Sequence, residues 1–253
     1  MKRTPILTAL VLAVSLTACS PKAPEVTLAP TPVPTPSPAP VPTVLEWTDR
    51  LIEEDYTTDD GTVILRLRYV FPAPAETGVV AAWDSIGAYY ESESKAYLEN
   101  TQENVLMAQD DYYIAQASGF PFTPYTEGFT YQVTRQTDRL VSIRRTYSSS
   151  TSDSDVSGFQ FAETFDLGTG ARLGLGDLLS GDWQGPLLEQ VFSHAVLLSW
   201  HPFTLEELTE QFNADYFYLT DDNLVIFYQP GTFGPGSPLL ECSVPYDGLP
   251  LRG

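Results

Sequence analysis

The sequence predicts an α+β fold in which antiparallel sheets of hairpins pack with helices, after a disordered Pro-rich tether. Three observations predict this fold class. Apolar residues make up 43% and aromatic residues 12% of the 253-residue chain, which is enough for a packed core. Short segments of alternating hydrophobicity are separated by turn residues, as in hairpins. Helical segments interrupt them without a regular strand–helix–strand rhythm, which favours α+β over a parallel sheet.

The first 18 residues have the pattern of a lipoprotein signal peptide. A basic start at Met1–Arg3 precedes an apolar run over 6–16, which is shorter than the roughly 20 residues of a membrane span. The run ends in Leu16-Thr17-Ala18-Cys19, which resembles the lipobox of bacterial lipoproteins. The resemblance implies cleavage before Cys19, its lipidation, and a lipid anchor at the extracytoplasmic face of the cell membrane. An ordinary signal peptide with a chance cysteine is the alternative.

Residues 19–43 form the predicted tether. The segment Ser20–Thr43 contains nine prolines in 24 residues. Proline lacks the N–H that helices and sheet ladders use, so we expect a polyproline II spacer here. Its reach is roughly 75 Å at about 3.1 Å per residue.

The first part of the folded chain, residues 44–145, is predicted as an N-terminal α/β part. Leu45–Tyr56 and Thr62–Phe71 form a predicted hairpin, because the second segment alternates and a turn at 59–61 separates the two. Few Gly or Pro residues over 79–116 indicate one long helix or two shorter ones. Phe129–Tyr147 predicts two strands around a turn.

The second part, residues 146–253, begins with a Ser- and Asp-rich stretch over 148–158 that predicts a loop. Thr204 followed by Glu207 is the pattern of a helix capping box. We also expect two hairpins, Phe159–Leu167 with Ala171–Leu175 and Tyr216–Leu219 with Leu224–Tyr228. A helix over Trp183–Trp200 lies between the hairpins, and a final strand covers Leu239–Val244.

Charge excludes one class of partner and favours another. The chain has 13 Lys plus Arg and 33 Asp plus Glu, for a net charge of −20. Nucleic-acid binders need clustered basic side chains, so we expect no nucleic-acid partner. Cleavage before Cys19 removes two basic residues and no acid, so the mature charge is 11 − 33 = −22. Such a field steers basic proteins toward the surface and repels anionic polymers.

An ordered set of segments in the second part resembles the RsiV-like extracytoplasmic domain. This domain of unknown function is shared by RsiV-type anti-sigma factors, whose founding member binds lysozyme, and by the N-terminal part of PdaC-type peptidoglycan deacetylases. The resemblance implies a non-enzymatic domain that binds or senses a protein, such as lysozyme, or a cell-wall component. The segments are Phe165–Leu167, Thr169-Gly170, Asp177–Leu179, Phe217–Thr220, Leu224–Tyr228 and Val244–Leu249.

The chain also departs from that family. We find no cytoplasmic segment and no membrane span in the sequence, so we do not expect the chain to hold a sigma factor by itself. Family members often carry a Gly-Ala-His type loop before the Phe-Asp-Leu hairpin, and this chain has Ser148–Asp153 at that place. Any function of that loop in the family therefore does not transfer to this chain.

A Pro- and Gly-rich loop over Gln229–Pro238 is the predicted binding loop. It joins two predicted strands, and irregular loops on rigid sheets often carry binding. A wide structural connection is the alternative. The candidate binding residues are Tyr228, Gln229, Phe233, Pro235 and Pro238.

The sequence gives little support for metals or cofactors, and we expect no cofactor. Asp153, Asp155 and Ser157 match the start of a calcium-binding loop, but its twelfth position, which should be a bidentate Glu, is Thr164. A solvated acidic loop is the favoured interpretation. His194 and His201 are seven residues apart, too far for two helical side chains to chelate one ion. Cys242 lies in a predicted strand and reads as a buried apolar residue.

Ser92–Lys95 matches the Ser-x-x-Lys motif of penicillin-binding proteins, but its Lys-Thr-Gly partner is absent, so we interpret the match as chance and assign no catalytic residue. With so many acids, a pair of carboxylates acting on wall glycan remains the alternative, in an enzyme or in an accessory subunit of one. Arg135, Arg139, Arg144 and Arg145 lie on one predicted hairpin. Ion pairing with carboxylates is the favoured interpretation of these arginines, and an anion site is the alternative.

Overall fold

The computed structural model describes residues 45–76, 80–151, 156–198 and 200–252, without the side chains of residues 156 and 157. The predicted signal peptide, the predicted lipid site Cys19 and the predicted tether lie outside these ranges. The predicted fold class is confirmed, because antiparallel sheets pack against helices. None of the helices in the described ranges has the length and the apolar character that crossing a membrane requires.

The first sheet has five strands in the order β1-β2-β3-β4-β5. Neighbouring strands are antiparallel except for β2 and β3, which are parallel. Parallel neighbours need a long crossover, and helix α1 supplies it. The elements are β1 (Trp47–Thr57), β2 (Val63–Pro74), α1 (Ala81–Ser118), β3 (Tyr125–Gln136), β4 (Leu140–Ser150) and β5 (Val156–Asp166).

The core of this sheet follows from the alternation predicted in β2. Leu67 and Tyr69 are buried on the face that packs with α1, whereas Arg66 and Arg68 are exposed. From α1, Trp83, Ile86 and Tyr90 enter the same cluster of buried side chains. Of the two predicted possibilities for this segment, the structure has the single helix, which spans 38 residues and is about 57 Å long at 1.5 Å per residue.

The second sheet is antiparallel and has three strands in the order β6-β7-β8. Helix α3 packs on it through Leu187, Val191 and Ala195. Thr204 caps α4, because Glu207 N donates to Thr204 Oγ1 at 3.1 Å. Only this half of the predicted capping box forms, because the Glu207 carboxylate lies against His201 Nε2 instead. The elements are α2 (Leu175–Leu178), α3 (Gln184–Ala195), a 3₁₀ turn (Val196–Leu198), α4 (Leu205–Glu210), β6 (Phe217–Leu219), β7 (Asn223–Tyr228), β8 (Leu240–Pro245) and a second 3₁₀ turn (Tyr246–Gly248).

The two sheets share polar and apolar contacts. Leu219 N donates to Ser142 Oγ at 2.9 Å, which links β6 to β4. Ala162 of β5 packs in one cluster with Val225 and Phe227 of β7. The described residues accordingly fall in one compact unit. The division predicted at residue 145 lies inside β4.

Three sequence-based boundaries were wrong. In the Ser-rich stretch over 148–158, the residues on both sides of the undescribed segment are strand, because Ser148 pairs with Gly158 and Ser150 with Val156. The predicted strand Ala171–Leu175 forms only one bridge, between Phe165 and Arg172, and Leu175 already begins α2. The helix predicted over Trp183–Trp200 ends at Ala195 and continues only as a 3₁₀ turn.

Candidate binding surface and the placement of the predicted residues

The second half of α1 has two contrasting faces. Thr101, Ala108 and Tyr112 are buried against the sheet. The opposite side exposes large apolar side chains, with Leu106 and Ile114 each 63% accessible to solvent. The exposed apolar residues of this segment are Leu106, Met107, Tyr113 and Ile114, with Phe120 just after the helix. We call these five residues the α1 apolar stripe.

Acidic side chains lie within the stripe. Glu103 and Asp110 are exposed and lie, by helical periodicity, between its two rows, Leu106 with Tyr113 and Met107 with Ile114. The sequence contains no Lys or Arg between Lys95 and Arg135. This half of the helix therefore presents apolar area in a local field that is negative throughout.

The stripe ends at a shallow groove where α1 stops. Gly119 takes a left-handed conformation with φ of 73°, which ends the helix and turns the chain. Phe120 follows and is 72% exposed. It lines a cavity of about 340 Å³ together with Ile114 and Phe122. Asp111 also lines this groove and accepts a hydrogen bond of 2.5 Å from Tyr125 Oη.

This surface was missed by sequence reasoning, although two signals for it are present. Apolar residues recur seven apart, as Leu106 with Tyr113 and Met107 with Ile114, on the side opposite the residues that contact the sheet. The absence of basic residues over 96–134 is the second signal. The hydrophobic pattern alone does not reveal the surface, because both faces of the helix carry apolar residues.

The predicted binding loop is anchored in the second core. Tyr228 is buried, and its hydroxyl donates to Leu208 O at 3.1 Å, so it has no surface to offer a partner. The Gln229 side chain is hydrogen-bonded to the backbone of Gln160. Gln160 N donates to Gln229 Oε1 at 3.0 Å, and Gln229 Nε2 donates to Gln160 O. Two of the five candidate residues thus serve the fold.

Phe233 also packs inward. Its ring lies 5.1 Å from the ring of Phe203 and 5.2 Å from that of Tyr228, measured between centroids. Pro235 and Pro238 are exposed at the tip. The loop therefore offers its prolines to solvent, whereas the aromatic residue predicted as an anchor is half-buried in an aromatic cluster.

The calcium candidates lie outside what the structure describes. Asp153 and Asp155 lie outside the described residues, as does the side chain of Ser157. Thr164 is buried and donates to Ser142 Oγ at 3.0 Å, so the twelfth position of the motif is turned into the protein. Within the described residues, no group of three or more potential ligands is arranged to hold a metal ion.

The two histidines and the cysteine have structural contacts. Ser243 N donates to His194 Nδ1 at 3.0 Å, which fastens α3 to β8. His201 Nε2 lies 2.8 Å from Glu207 Oε1 in α4. Cys242 is fully buried, as its strand position predicts, and burial raises the pKa of its thiol to about 12. A thiol that stays protonated is a poor nucleophile.

Two buried carboxylates bear on the enzyme alternative. Glu163 is bound by Arg145, with Nε donating to Oε2 at 3.1 Å. Glu127 accepts hydrogen bonds from Tyr69 Oη, Thr101 Oγ1 and Asn104 Nδ2. Since the protein itself supplies these partners, neither buried carboxylate is held ready for a substrate, and the enzyme alternative gains no support from them.

Arg145 occupies a closed cage. It is 1% exposed and also donates to Glu93 Oε2 at 2.9 Å. Its Cζ lies 5.4 to 5.8 Å from the ring centroids of four aromatic residues, Phe71, Tyr90, Phe129 and Phe161. The remaining nitrogen, Nη1, has no hydrogen-bond partner among the described residues, and the electron-rich ring faces stabilise its charge instead. The favoured interpretation of the hairpin arginines holds for Arg145, and for Arg144, which pairs with Glu241.

Comparison with known proteins shows the fold but no function. No protein-family model matches the chain, and no curated protein matches it. Among solved structures, a DUF3298 family member from Bacteroides fragilis is similar, with a TM-score of 0.60 and 18% identity over 83% of this chain and 94% of that one. A DUF3298 family protein from Pseudomonas aeruginosa is similar with a TM-score of 0.53 and 15% identity, and the match covers 83% of this chain and 96% of that one. At these identities, the likeness shows a shared fold.

Proposed function

We propose that this chain is an extracytoplasmic lipoprotein whose folded domain binds a basic protein and catalyses no reaction. The observation that carries the proposal is the α1 apolar stripe with the acidic side chains between its two rows. Several large apolar side chains exposed together on one helix face mark an interaction surface, whereas single exposed ones are normal. The surrounding acids select a cationic partner.

A second copy of the chain is a poorer occupant of this surface. If two stripes packed together, Glu103 and Asp110 of one copy would face the same acids of the other. Like charges that are desolvated together cost several kcal/mol, by order of magnitude. The resemblance to the RsiV-like domain, whose founding member binds lysozyme, makes lysozyme the first basic protein to test.

The experiment measures binding of the mature domain to immobilised hen lysozyme by surface plasmon resonance, with cytochrome c as an unrelated basic protein. We expect the double variant Glu103→Lys/Asp110→Lys to weaken lysozyme binding at least tenfold. The matched control, Glu189→Lys/Glu210→Lys, changes the net charge equally on exposed positions of α3 and α4. Equal losses in the two variants would show that net charge, and not this surface, drives binding.

Apolar contact is tested separately. Leu106→Ser/Ile114→Ser removes two exposed side chains, so the melting temperature stays near that of the wild type while the dissociation rate rises.

Steering by charge is tested with salt. If charge steers the partner, association should slow as salt rises from about 0.01 M to 0.15 M, because the Debye length falls from roughly 30 Å to 8 Å. No binding to lysozyme at micromolar protein would remove lysozyme as the partner. A peptidoglycan turnover assay with the same preparation tests the enzyme alternative.

The location is tested through Cys19. Cys19→Ser should abolish lipidation and the processing that depends on it. Metabolic labelling with a clickable palmitate analogue measures this directly. Undiminished labelling of the variant would contradict the lipid anchor and leave the binding proposal to stand on its own.

A further inference from the structure

Three arginines have no carboxylate partner. The described residues contain nine arginines, and six of them form ion pairs with Asp or Glu. The other three, Arg135, Arg139 and Arg252, have no carboxylate of a described residue within ion-pair distance. In a chain with 33 acids and 13 basic residues, a basic side chain without an acidic partner is the exception. All three line one cavity of about 520 Å³.

Hydrogen bonds within the fold position Arg139 and Arg252. Thr137 Oγ1 accepts from the N–H groups of Arg139 and Leu140, both at 3.1 Å, and so closes the turn between β3 and β4. Arg252 is fixed on the opposite wall, because its N–H donates to Leu178 O and its Nε to Leu179 O, each at 2.9 Å. Residues more than a hundred positions apart in the chain thus bring their guanidinium groups to one cavity.

Two of the three aspartates that line the cavity, Asp166 and Asp177, are engaged elsewhere. Asp166 Oδ1 accepts from Thr169 N at 2.7 Å and from Thr169 Oγ1 at 2.8 Å. Asp177 Oδ2 accepts from Gly174 N at 2.9 Å, at the start of α2. Both carboxylates line the cavity and serve turns, which is why they do not neutralise the arginines. The cavity therefore contains fixed positive groups beside fixed negative ones.

The rest of the wall is aromatic and apolar. Arg135 Cζ lies 4.7 Å from the ring centroid of Tyr246, whose hydroxyl donates to Thr220 O at 2.7 Å. Stacking on the ring and a side-chain hydrogen bond to Tyr246 fix this guanidinium, whose other N–H groups can bind a ligand. Leucines supply most of the remaining lining: Leu140, Leu173, Leu178, Leu219 and Leu251.

We propose that this cavity binds the carboxylate of a small ligand that carries an apolar group beside it, as at the C-terminus of a short apolar peptide. The planar fork of an arginine matches a carboxylate with two parallel hydrogen bonds. A multiply charged phosphate fits less well, because Asp138, Asp166 and Asp177 also line the cavity. The volume lies within the roughly 300 to 1,000 Å³ of small-molecule sites.

The test is calorimetric titration of the folded domain with acetyl-alanyl-leucine, whose carboxylate is free. The same dipeptide as its C-terminal amide and inorganic phosphate are the comparison ligands. We expect one site per chain for the acid, at least tenfold weaker binding of the amide, and phosphate weaker than the acid. Arg135→Gln and Arg139→Gln should each weaken binding of the acid at least fivefold.

The matched control is Arg66→Gln, an exposed arginine on β2 outside this cavity, and it should bind as the wild type does. Arg139→Lys keeps the charge and loses the fork, so it should bind at an intermediate level. Circular dichroism melting verifies that each variant is folded. Because Arg139 is exposed, Arg139→Gln still tests the site if Arg135→Gln is destabilised.

Three results would each overturn the assignment: no binding of the acid at millimolar concentration, equal binding of acid and amide, or unchanged binding in Arg139→Gln. Tighter binding of phosphate than of the acid would replace the carboxylate with a phosphoryl group. The α1 variants should leave this titration unchanged, so failure here and failure of the proposed protein binding can be told apart.

Discussion

Arg145 and Arg135 lie on paired neighbouring strands, and the fold uses them in opposite ways. Arg145 is enclosed by Glu93, Glu163 and four aromatic rings, and is 1% exposed. Arg135 rests on one face of Tyr246 at the rim of an open cavity and has no carboxylate partner among the described residues. The same residue type serves stability in one place and remains available to a ligand in the other, and only the surroundings distinguish them.

The largest effect we predict is the loss of Arg145. Arg145→Met leaves Glu163 buried without its cation, which typically costs about 3–5 kcal/mol. Arg135→Gln should change the free energy of unfolding by no more than about 0.5 kcal/mol, as at other surface sites. Urea unfolding followed by circular dichroism measures both. The double variant Arg145→Met/Glu163→Gln should regain part of the loss; if it does not, lost packing and not charge explains the first result.

Alkaline pH should have the next largest effect on stability, and it should act through buried residues. Burial, and then Glu163, raises the pKa of Tyr90 well above its ordinary value, and burial raises that of Cys242 from 9.0 to about 12. A group whose folded pKa is raised contributes stability below its unfolded pKa and loses it as pH rises toward the folded value. The urea midpoint should therefore fall from about pH 9 upward.

A variant separates the thiol from the tyrosines in this alkaline loss. Cys242→Ala removes the group that titrates first, so its stability should fall less between pH 9 and pH 12 than that of the wild type. Matched urea unfolding curves at several pH values measure this difference. A parallel decline in both proteins would assign the whole effect to the tyrosines.

Two phenylalanines show the same contrast between a packed and an exposed side chain, here without charge. Phe233 packs against Phe203 and Tyr228, so Phe233→Ala should cost about 1–3 kcal/mol, less than a fully buried Phe because its ring is half-exposed. Phe120 is 72% exposed, and Phe120→Ala should be nearly neutral for stability. Thermal melting compares them. A neutral Phe233→Ala would restore Phe233 as a displayed anchor, as the sequence predicts.

The smallest effect concerns the phenol beside Arg135. Burial raises the pKa of Tyr246, while the Arg135 guanidinium lowers it. Arg135→Gln should therefore raise the pKa of Tyr246 further, because the phenolate loses its neighbouring cation. NMR titration of the Tyr246 ring signals measures the shift. An unchanged titration would mean that Arg135 does not stay over the ring in solution.

The fold class and the hairpins were predictable because side-chain alternation and turn residues are local signals. The alternation of Leu65, Leu67 and Tyr69 determined which face of β2 is buried. The Ser-rich stretch misled for the same reason: its residues favour loops by composition, but Ser148 and Ser149 gain a full ladder of partners from β5. Tertiary pairing overrode local preference there.

The binding residues were harder to predict, since exposure is a property of the folded chain. Loop composition made Tyr228 and Phe233 candidates, but one of them is buried and the other is packed among aromatic rings. Conversely, the α1 apolar stripe is built from residues that a helical pattern assigns to a core. Sequence spacing does not tell which of two apolar faces of one helix meets the sheet.

Composition and local pattern can be read directly from the residues: the strong negative charge, the lipobox-like start, the Pro-rich segment and the periodicity of hairpins and helices. Which charges meet depends on the folded chain. Arg135, Arg139 and Arg252 converge only because the C-terminal segment folds back over α2, where Ser180 N donates to Pro250 O at 2.8 Å. Asp166 and Asp177 near them are engaged by local turns. Whether an arginine is neutralised or left open therefore depends on which residues the folded chain brings beside it, and no local sequence pattern records that.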